Sequence, residues 1–563
     1  MTDRSYAPRA GPRRPSWRGR ALVAGALVVG AVGLFAVTRP AGSGPAADLP
    51  SAAVSLPSGG TGSTPGSLAP ASGPAGSPSG PSVGPATSPS GAPSAGPIAA
   101  TAIVPVADYR TTATAIAKRD VTAVLNGTSR RWTTLELVAD QSKAMLEALG
   151  VSLVGRRLVT APDAVTLMRD LAAHRDRLAF LRADEVGPGV RALGWGSQHL
   201  FGAHRLKKVG AWPLVAQLPS QPGRAPGTTW TLFAAGDLGL DRTYANVVTN
   251  LGKGKDYPFD GGTARISALV CCSPFGWKVP TIVSTGHKGA MRDLISSADL
   301  ALANMEESAP DHFKFHAHGT AFTGDPALIS GIARAGIDVA SVASTHIGDG
   351  GRAGILQTIA SLKKYGIVPF GAGPNLAAAR QPAIFDMGGV KVAILGYDGI
   401  SARYYGATRA TIGDAPLKAA YFKADIAAAR AAGAQVVIAF PHWGIEYTFG
   451  PSASQQRLGR QMIDAGADLV IGNHPHWVQS VEIYRGKPIW YSLGNFTFDQ
   501  SWSEPTLEGV TLELTFHGRT LVQAWMNPHI LIRAVQPNLL AIAGDGQRVL
   551  APVFKASGKL LPW

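Results

Sequence analysis

The sequence predicts a protein of the α/β class, with a small α/β lobe and a larger layered domain behind an N-terminal region of different composition. Strand-like apolar runs alternate with helical stretches over most of residues 102–535. This alternation is typical of helices packed on sheets. The chain has 563 residues, which is too long for one compact core, so more than one domain is expected.

The charge of the chain is positive, and part of it is concentrated at the N-terminus. The formal net charge is +15, of which residues 1–20 contribute +5 through six arginines and one aspartate. This surplus favours an anionic partner, or it reflects a moderately basic exported surface without a specific site. The sequence shows no zinc finger, RNP-like segment or basic helix, so we expect no nucleic-acid partner.

Residues 1–38 indicate the compartment. A basic tail over residues 1–20 precedes the uncharged run Ala21–Thr38, which as a helix would extend roughly 27 Å and just cross a bilayer core. Because arginines tend to stay in the cytoplasm, we expect a single-pass signal anchor in the cell membrane over 21–38, with the bulk of the chain extracytoplasmic. A cleaved signal peptide is the alternative, since small residues such as Ala46 and Ala47 follow.

Residues 39–101 consist almost only of Gly, Ser, Pro, Ala and Thr. Such a segment has too little apolar surface to offset the entropy of the chain, so we expect a disordered linker. Its prolines stiffen it, which suits a tether that spans a thick cell wall.

The two cysteines, Cys271 and Cys272, are adjacent. A bridge between neighbouring cysteines closes almost no loop and cannot stabilise a fold. We therefore expect two unmodified or buried thiols.

Residues 102–225 are predicted to form the α/β lobe. Apolar runs lie at Thr101–Val106 and Leu178–Leu181, and Thr133–Leu149 is helix-like. The segments Arg119–Trp132 and Leu178–Leu193 resemble parts of phosphate- and molybdate-type periplasmic binding proteins. Because those proteins have two lobes and this segment has length for about one, it either retains a ligand cleft or serves for packing or partner docking.

Residues 229–535 are predicted to form the larger domain, followed by a C-terminal extension over 536–563. Strand-like runs lie at Trp230–Ala235, Leu300–Ala303, Val339–Val342, Val392–Leu395, Val436–Phe440, Leu469–Ile471 and Pro488–Tyr491. Helical stretches between them lie at Pro326–Ala335, Gly351–Tyr365, Ala419–Ala432 and Gln455–Ala465.

Polar residues follow these strands, where open α/β sheets gather their sites. Each residue alone is typical of a helix cap or a structural histidine. Together they offer the imidazole and carboxylate ligands of divalent ions, and a pair of ions can hold a phosphate and activate a water. The positions are Asp237, Asn304, Glu306, His346, His442, His474 and His476.

Several phrases of the sequence resemble the CapA family of capsule and poly-γ-glutamate synthesis proteins in order and spacing. The resemblance covers about residues 230–535. The phrases are Gly236-Asp237, Asn304–Glu306, Ser341–Gly351, Gly371–Gly373, His442–Tyr447, Gly472–Gln479 and Tyr491–Gln500.

This resemblance implies a layered metallophosphoesterase-like β-sandwich flanked by helices. It also implies two divalent metal ions, of a kind (Mn, Fe, Zn or Mg) that the sequence does not distinguish. It places His346 on the scissile phosphate as a proton donor, oriented by Asp349. The metal ligands that it implies are Asp237, Glu306, His442, His474 and His476, and the substrate-facing residues are Asn304, Thr345, Asn473 and Asn495.

One position departs from the family pattern. The family usually has Asn-Asn-His where this chain has Ser344-Thr345-His346. The asparagine before the histidine is the metal ligand that the resemblance implies, and Thr345 is a poorer one, so one metal position is expected to be weak or empty. The neighbouring Glu307 is a candidate substitute.

Two further groups leave alternatives open. His312, His316 and His318 form either a solvated loop or an additional set of ligands. Asn495 and Asp499 either line the cleft or cap local structure.

Two classes of function follow. The first is a metal-dependent phosphoesterase-like hydrolase that acts outside the membrane on a phosphate ester or an anionic polymer, alongside other proteins of polymer synthesis and export. The second is a non-catalytic scaffold that binds a polyanion or a partner of the export machinery.

Overall fold

A computed structural model describes residues 96–151, 157–206, 208–221 and 228–561. The predicted basic tail, the predicted anchor and most of the predicted linker lie outside these residues. Within the described part of the chain, no helix has both the length and the hydropathy that a membrane span requires.

The first described unit is a small α/β lobe. Its strands are β1 (Ile98–Asp108), β2 (Ala115–Ile116), β3 (Thr134–Val138), β4 (Leu158–Ala161), β5 (Arg177–Arg182), β6 (Val190–Ala192), β7 (Gly194–Trp195) and β8 (Val215–Pro219). Its helices are α1 (Lys118–Asn126), α2 (Ser142–Leu149) and α3 (Ala164–Ala173). The main sheet has the order β4-β3-β5-β1-β6, and β8 also pairs with β1.

The helix predicted over Thr133–Leu149 is wrong in its first half. Residues Thr134–Val138 form β3, which lies between the parallel strands β4 and β5. Both faces of β3 are covered, so four of its five residues are buried. A fully buried strand lacks the polar alternation that separates a strand from a helix in sequence.

The lobe packs on a strand from the far end of the chain. Val522 belongs to the lobe's hydrophobic core, and the side-chain amide of Gln523 pairs with both backbone groups of Ala192, at 3.1 and 3.3 Å. The Arg191 guanidinium lies over the Trp525 ring at 5.4 Å. The lobe and the larger domain therefore share buried contacts.

The larger domain begins at Thr229. Its strands are β9 (Thr229–Leu238), β10 (Thr263–Val270), β11 (Val279–Gly286), β12 (Leu300–Met305), β13 (Val339–Ser341), β14 (Val368–Phe370), β15 (Ala372–Gly373), β16 (Ala383–Asp386), β17 (Lys391–Asp398), β18 (Gly413–Asp414), β19 (Val436–His442), β20 (Leu469–Ile471), β21 (Val481–Tyr484), β22 (Lys487–Trp490), β23 (Asn495–Thr497), β24 (Glu508–His517), β25 (Thr520–Ile532) and β26 (Gln536–Leu540). Its helices are α4 (Arg242–Ala245), α5 (Ala290–Ser297), α6 (Ile329–Ala335), α7 (Gly351–Lys364), α8 (Leu376–Ala379), α9 (Ala402–Tyr405), α10 (Ala419–Ala431), α11 (Ala453–Asp464) and α12 (Gly546–Ser557).

Two large sheets dominate this domain. One has the order β11-β10-β26-β25-β24-β9-β12-β13-β14, with β23 also paired to β9. The other has the order β16-β17-β19-β20-β22-β21. The mixed α/β class that the sequence predicted is confirmed.

The sheets face each other across one core, and helices cover their outer faces. In β9, Leu232 and Ala234 point into the core shared with β17 and β19, whereas Phe233 and Ala235 point to the opposite side, towards α5 and α6. This alternation follows from the two-residue period of a strand. A third core lies between the second sheet and α10 and α11.

Two features fall outside the predicted pattern. Strand β26 and helix α12 lie in the region predicted as a C-terminal extension, and both join the main core. Cys271 and Cys272, expected as free or buried thiols, are bonded to each other at the exposed end of the β10–β11 hairpin.

Candidate metal centre

The residues of the candidate site lie where neighbouring parallel strands end. Asp237 near the end of β9 and Asn304 of β12 are register partners, and Glu306 follows β12 directly. His442 is the last residue of β19. Because the carboxyl ends of parallel strands meet at one edge of a sheet, residues far apart in sequence converge there.

The loop after β20 brings the last two histidines to the same edge. His474 and His476 have φ angles of 96° and 58°, a backbone region that side chains other than glycine seldom adopt. Such strain persists only where the surrounding structure enforces it, and it is frequent at functional sites. Gly472 begins this loop, and a side chain there would collide with the Tyr491 carbonyl.

Glu306, His442 and His474 form the first group. One possible ligand atom from each residue lies within 4.8 Å of the others, and all three side chains are buried. The closest approach is 3.4 Å, between Glu306 Oε1 and His442 Nε2. This donor set of one carboxylate and two imidazoles is typical of transition-metal sites.

Thr345 lies at the centre of the first group. Its hydroxyl is 2.8 Å from His442 Nε2 and 3.2 Å from His474 Nδ1. The residue that replaces the family's asparagine thus contacts both histidines that are expected to bind a metal.

Asp237 and His476 form the second group, and asparagines support it on both sides. His476 Nδ1 lies 3.2 Å from Asp237 Oδ2 and 2.9 Å from Asn495 Oδ1. Asn304 Nδ2 donates to Asp237 Oδ1 at 2.9 Å and to Glu306 Oε2 at 2.7 Å, so it links the two groups. Since the Nδ1 of His476 faces these oxygens, its Nε2 is the atom left for a ligand bond.

Glu446 is a candidate ligand that the sequence reasoning missed. It forms a set with His474 and His476 whose ligand atoms lie within 4.8 Å of one another, and it is exposed where the histidines are buried. Glu446 lies four residues after His442, within the phrase His442–Tyr447. This position could have indicated that Glu446 is near the site.

The charges in the site are coupled. Burial lowers the pKa of His442, but Glu306 and Asp237 outweigh it and the pKa rises to about 9. Burial and the neighbouring His442 hold the pKa of His474 well below its usual value. His474 is therefore neutral near pH 7, with a lone pair available to a cation.

Several buried atoms fit a bound cation. Asn304 Oδ1 is buried and accepts no hydrogen bond from the described residues. Asp237 Oδ2 and Glu306 Oε1 are also buried, and each has an imidazole nitrogen nearby, at 3.2 and 3.4 Å, but no well-directed hydrogen bond. Buried oxygens that lack a donor are costly, and a divalent ion between the two groups would satisfy them. The residues present therefore fit a divalent metal.

A histidine–aspartate pair lies beside the first group. His346 directly follows Thr345, and its Nδ1 is 2.8 Å from Asp349 Oδ2. The same carboxylate oxygen accepts the Phe322 backbone N–H at 2.9 Å, and the Phe322 ring packs edge-on against His346 with 4.3 Å between centroids. The imidazole is thus held through Nδ1 and its ring, and its Nε2 makes no hydrogen bond with the described residues.

The sequence suggested Glu307 as a substitute metal ligand because it follows Glu306, but its carboxylate binds backbone groups instead. Its carboxylate accepts the backbone N–H groups of Leu240 and Asp241, the latter at 2.9 Å. Burial raises the pKa of Glu307 to about 8. Because adjacent residues of an extended segment point in opposite directions, Glu307 supports the loop after β9 instead.

The loop histidines lie apart from both groups. His316 pairs with Asp241 at 2.5 Å, and His312 and His318 are exposed. Asp499 accepts the Thr243 N–H at 3.0 Å and so supports the start of α4. Asn473 has a buried side chain without a hydrogen-bond partner among the described residues, and its backbone N–H donates to the Pro441 carbonyl at 3.0 Å.

Comparison with known proteins shows what this part of the chain is similar to. Residues 231–500 match the family described as "Bacterial capsule synthesis protein PGA_cap". The PGA biosynthesis protein CapA of Bacillus subtilis is 37% identical over 166 residues, which are 29% of this chain and 43% of the relative. The capsule biosynthesis protein CapA of Bacillus anthracis is 34% identical over 239 residues, 42% of this chain and 57% of the relative.

These matches confirm the resemblance to the CapA family. The chain spans about half the length of the curated relatives that it matches. Among solved structures, the NAD nucleotidase of Haemophilus influenzae is 14% identical, with 58% of this chain and 55% of that chain covered and a TM-score of 0.30. This TM-score is too low to support an inference about the fold or the function of this chain.

Proposed function

We propose, from the match of residues 231–500 to the capsule synthesis family, that this chain is an accessory protein of capsule or poly-γ-glutamate synthesis. We further propose that its larger domain is a divalent-metal-dependent phosphoesterase-like hydrolase. The observation that carries the second proposal is the convergence of Glu306, His442 and His474, with ligand atoms within 4.8 Å, beside the His346–Asp349 pair.

The residues that would hold the metal are the two groups described above. A bound divalent ion would supply Lewis-acid polarisation of a phosphoryl oxygen and would make a water more acidic. Asp237, Glu306 and the three histidines His442, His474 and His476 offer the ligands for one or two ions, and Glu446 is a further candidate at the exposed side of the site.

His346 is the proton donor of this proposal. Because Asp349 Oδ2 accepts the Nδ1 proton of His346, a second proton resides on Nε2 when the imidazole is charged. That proton is available to the oxygen of a leaving group. Asp349 and the Phe322 ring fix the direction in which it is presented.

The location is proposed from the sequence of residues 1–38, whose arginines and apolar run favour a membrane anchor with the larger domain outside. An acidic polymer or a phosphate-containing substrate, and other proteins of polymer synthesis and export, are the proposed partners. The positive net charge of the chain supports an acidic substrate.

A non-catalytic scaffold is the second candidate function, and Thr345 is the observation that favours it. Its hydroxyl lies within 3.2 Å of a nitrogen of both His442 and His474, where the family's asparagine would offer an amide oxygen. In this alternative the domain binds a polyanion or a partner protein without turnover.

The test compares two histidines that each pair with an aspartate. The full chain is assayed for hydrolysis of bis(p-nitrophenyl) phosphate with added Mn²⁺, and its metal content is measured by mass spectrometry. We expect His346→Ala to lower kcat by about 100-fold or more with unchanged metal content. His316→Ala, which removes the His316–Asp241 pair in the loop, is the matched control and should retain activity.

Three outcomes separate the hypotheses. Turnover that depends on metal and on His346 supports the hydrolase. Metal binding without turnover in the unmodified chain supports the scaffold and overturns the hydrolase. Equal loss in both histidine variants, with unchanged melting temperatures, would contradict the role given to His346.

A further inference from the structure

The end of the β10–β11 hairpin exposes an unusual amount of apolar surface. We call residues 268–280 the hairpin tip. Its side chains are exposed by 43% at Leu269, 54% at Val270, 62% at Phe275 and 37% at Val279. Single exposed apolar residues need no explanation, whereas a contiguous group of them marks an interaction surface.

These residues are neighbours, and they cover both faces of the hairpin. Val270 and Val279 are register partners, and Leu269 is opposite Pro280. Leu269 and Val270 are consecutive in β10, so they point to opposite faces. Because both are exposed, each face of the hairpin tip carries an exposed apolar side chain, although Pro280 opposite Leu269 is buried.

One residue fixes the hairpin tip to the domain. The Trp277 side chain packs against Leu507, Leu531 and Ala534. The turn that carries Trp277 is closed by a hydrogen bond of 2.9 Å from the Ser273 N–H to the Trp277 carbonyl. The orientation of Phe275, two residues before Trp277, is therefore set by packing within the domain.

The hairpin itself carries charge of one sign. No aspartate or glutamate occurs from Gly261 to Arg292, although Asp545, from another part of the domain, accepts the Ile266 N–H at 2.7 Å. Arg265, Lys278 and Lys288 are exposed, and none of them forms an ion pair with a residue that the structure describes. Exposed apolar side chains on a basic hairpin favour an anionic membrane surface.

We propose that the hairpin tip inserts its apolar side chains between the headgroups of an anionic lipid bilayer. A flat protein partner would cover one face of the hairpin, whereas a fluid interface surrounds a tip that is apolar on both faces. Lys278 lies within the hairpin tip and is the cation nearest to the lipid phosphates in this arrangement, whereas Arg265, which is opposite Val283, and Lys288, which follows the end of β11, lie farther from the bilayer. The proposal is independent of whether the larger domain has catalytic activity.

Hydrogen–deuterium exchange on the full chain in lipid nanodiscs tests this proposal, because it reports on the hairpin locally. One set of nanodiscs contains phosphatidylglycerol and the other only phosphatidylcholine, so any N-terminal anchor is present in both. We expect peptides from residues 263–286 to exchange about tenfold more slowly with phosphatidylglycerol, and Lys278→Glu to reduce this difference about fivefold.

Matched variants separate insertion from unfolding. Leu269→Asp combined with Phe275→Asp should abolish the slower exchange, because it places charge in the inserted surface. Val165→Asp is the control, since Val165 is 51% exposed on α3 of the lobe, and it should leave the hairpin unaffected. Exchange in the remaining peptides shows that each variant is folded.

Three results would overturn the proposal. Exchange over 263–286 that is equally fast in both lipids shows that the hairpin does not insert. Slow exchange that is equal in phosphatidylcholine and in detergent shows protection by the domain itself. Slow exchange that depends on protein concentration rather than lipid shows a contact between two copies of the chain.

Discussion

Glu306 and Asp237 lie at the ends of neighbouring strands, each beside a histidine, but their surroundings differ. The Glu306 group is held by its own members, by the Thr345 hydroxyl and by the Asn304 amide that it shares with Asp237. The Asp237 group has a second layer of support, in which Asn495 holds His476 and His529 Nε2 donates to the Asn495 carbonyl at 3.0 Å.

This difference separates two ways of preparing a metal site. In the Asp237 group, surrounding hydrogen bonds fix the orientation of the imidazole before a cation arrives, and such support raises metal affinity. In the Glu306 group, the Thr345 hydroxyl lies between the histidines, where the resemblance to the CapA family implies an amide. We therefore expect the Asp237 group to depend on its neighbours and the Glu306 group to depend on its own ligands.

The largest expected effect is the loss of a ligand from the Glu306 group. Glu306→Ala removes a buried carboxylate that faces His442, so Mn²⁺ affinity should fall by more than about 100-fold, beyond the loss typical of supporting residues. Titration calorimetry on the metal-free chain measures this change. Glu446→Ala removes the exposed carboxylate and should cost less, so equal losses would break the comparison.

The next effect concerns stability and pH. Burial lowers the pKa of His529 from 6.5 to about 4. At pH values between 4 and 6.5, His529 is therefore protonated in the unfolded chain and neutral in the folded chain. The free energy of unfolding should therefore fall as the pH falls from 6.5 to 4, by about 3 kcal/mol from this residue.

Urea denaturation at pH 7.5 and 4.5 measures this contribution. His529→Gln cannot take up the proton, so the stability of the unmodified chain relative to the variant should fall by about 2.5 kcal/mol between pH 7.5 and pH 4.5. If the difference in unfolding free energy between the two proteins is the same at both pH values, His529 is not held in its neutral form beside Asn495.

A smaller effect is expected from the support of His476. Asn495→Ala removes the acceptor that faces His476 Nδ1 at 2.9 Å, and Mn²⁺ affinity should fall about 10- to 100-fold. Asn495→Asp retains an oxygen acceptor and should recover part of the affinity. Unchanged affinity in Asn495→Ala would show that the Asp237 group needs no outer support.

The smallest effect is a gain. Thr345→Asn offers an amide oxygen between His442 and His474, and we expect affinity for one ion to rise about tenfold. Thr345→Ser retains the hydroxyl and should bind as the unmodified chain does. A gain in both variants would show that bulk at position 345, and not the ligand type, limits binding.

Most of the buried parallel strands could be predicted from the sequence, whereas the long antiparallel ones could not. Each of the seven predicted strands of the larger domain overlaps a strand of the structure, from β9 to β22; the predicted starts agree to within about a residue and the predicted ends differ by up to about three. They are buried on both faces and so appear as continuous apolar runs. The antiparallel strands β24 and β25, which lie beyond Tyr491, carry polar residues that hide the pattern.

The residues of the candidate site could mostly be predicted from the sequence, but the contacts between their side chains could not. Strand ends in sequence order place Asp237, Glu306 and His442 at one edge. Spacing in the sequence does not fix the directions of side chains. It therefore could not predict that the Thr345 hydroxyl lies between two histidines, or that the Glu307 carboxylate binds the loop after β9. His529 had no signal, because it lies within a strand that was itself missed.

The shared core of the lobe has a consequence for the order in which the chain folds. Residues 98–219 leave the ribosome, and any export channel, well before Val522 and Gln523, which complete the lobe's core and pair with Ala192. The lobe therefore keeps apolar surface exposed until a segment about 300 residues later has been synthesised. Contacts of such long range slow folding. We therefore expect the lobe to complete its core only after residue 523 has been synthesised.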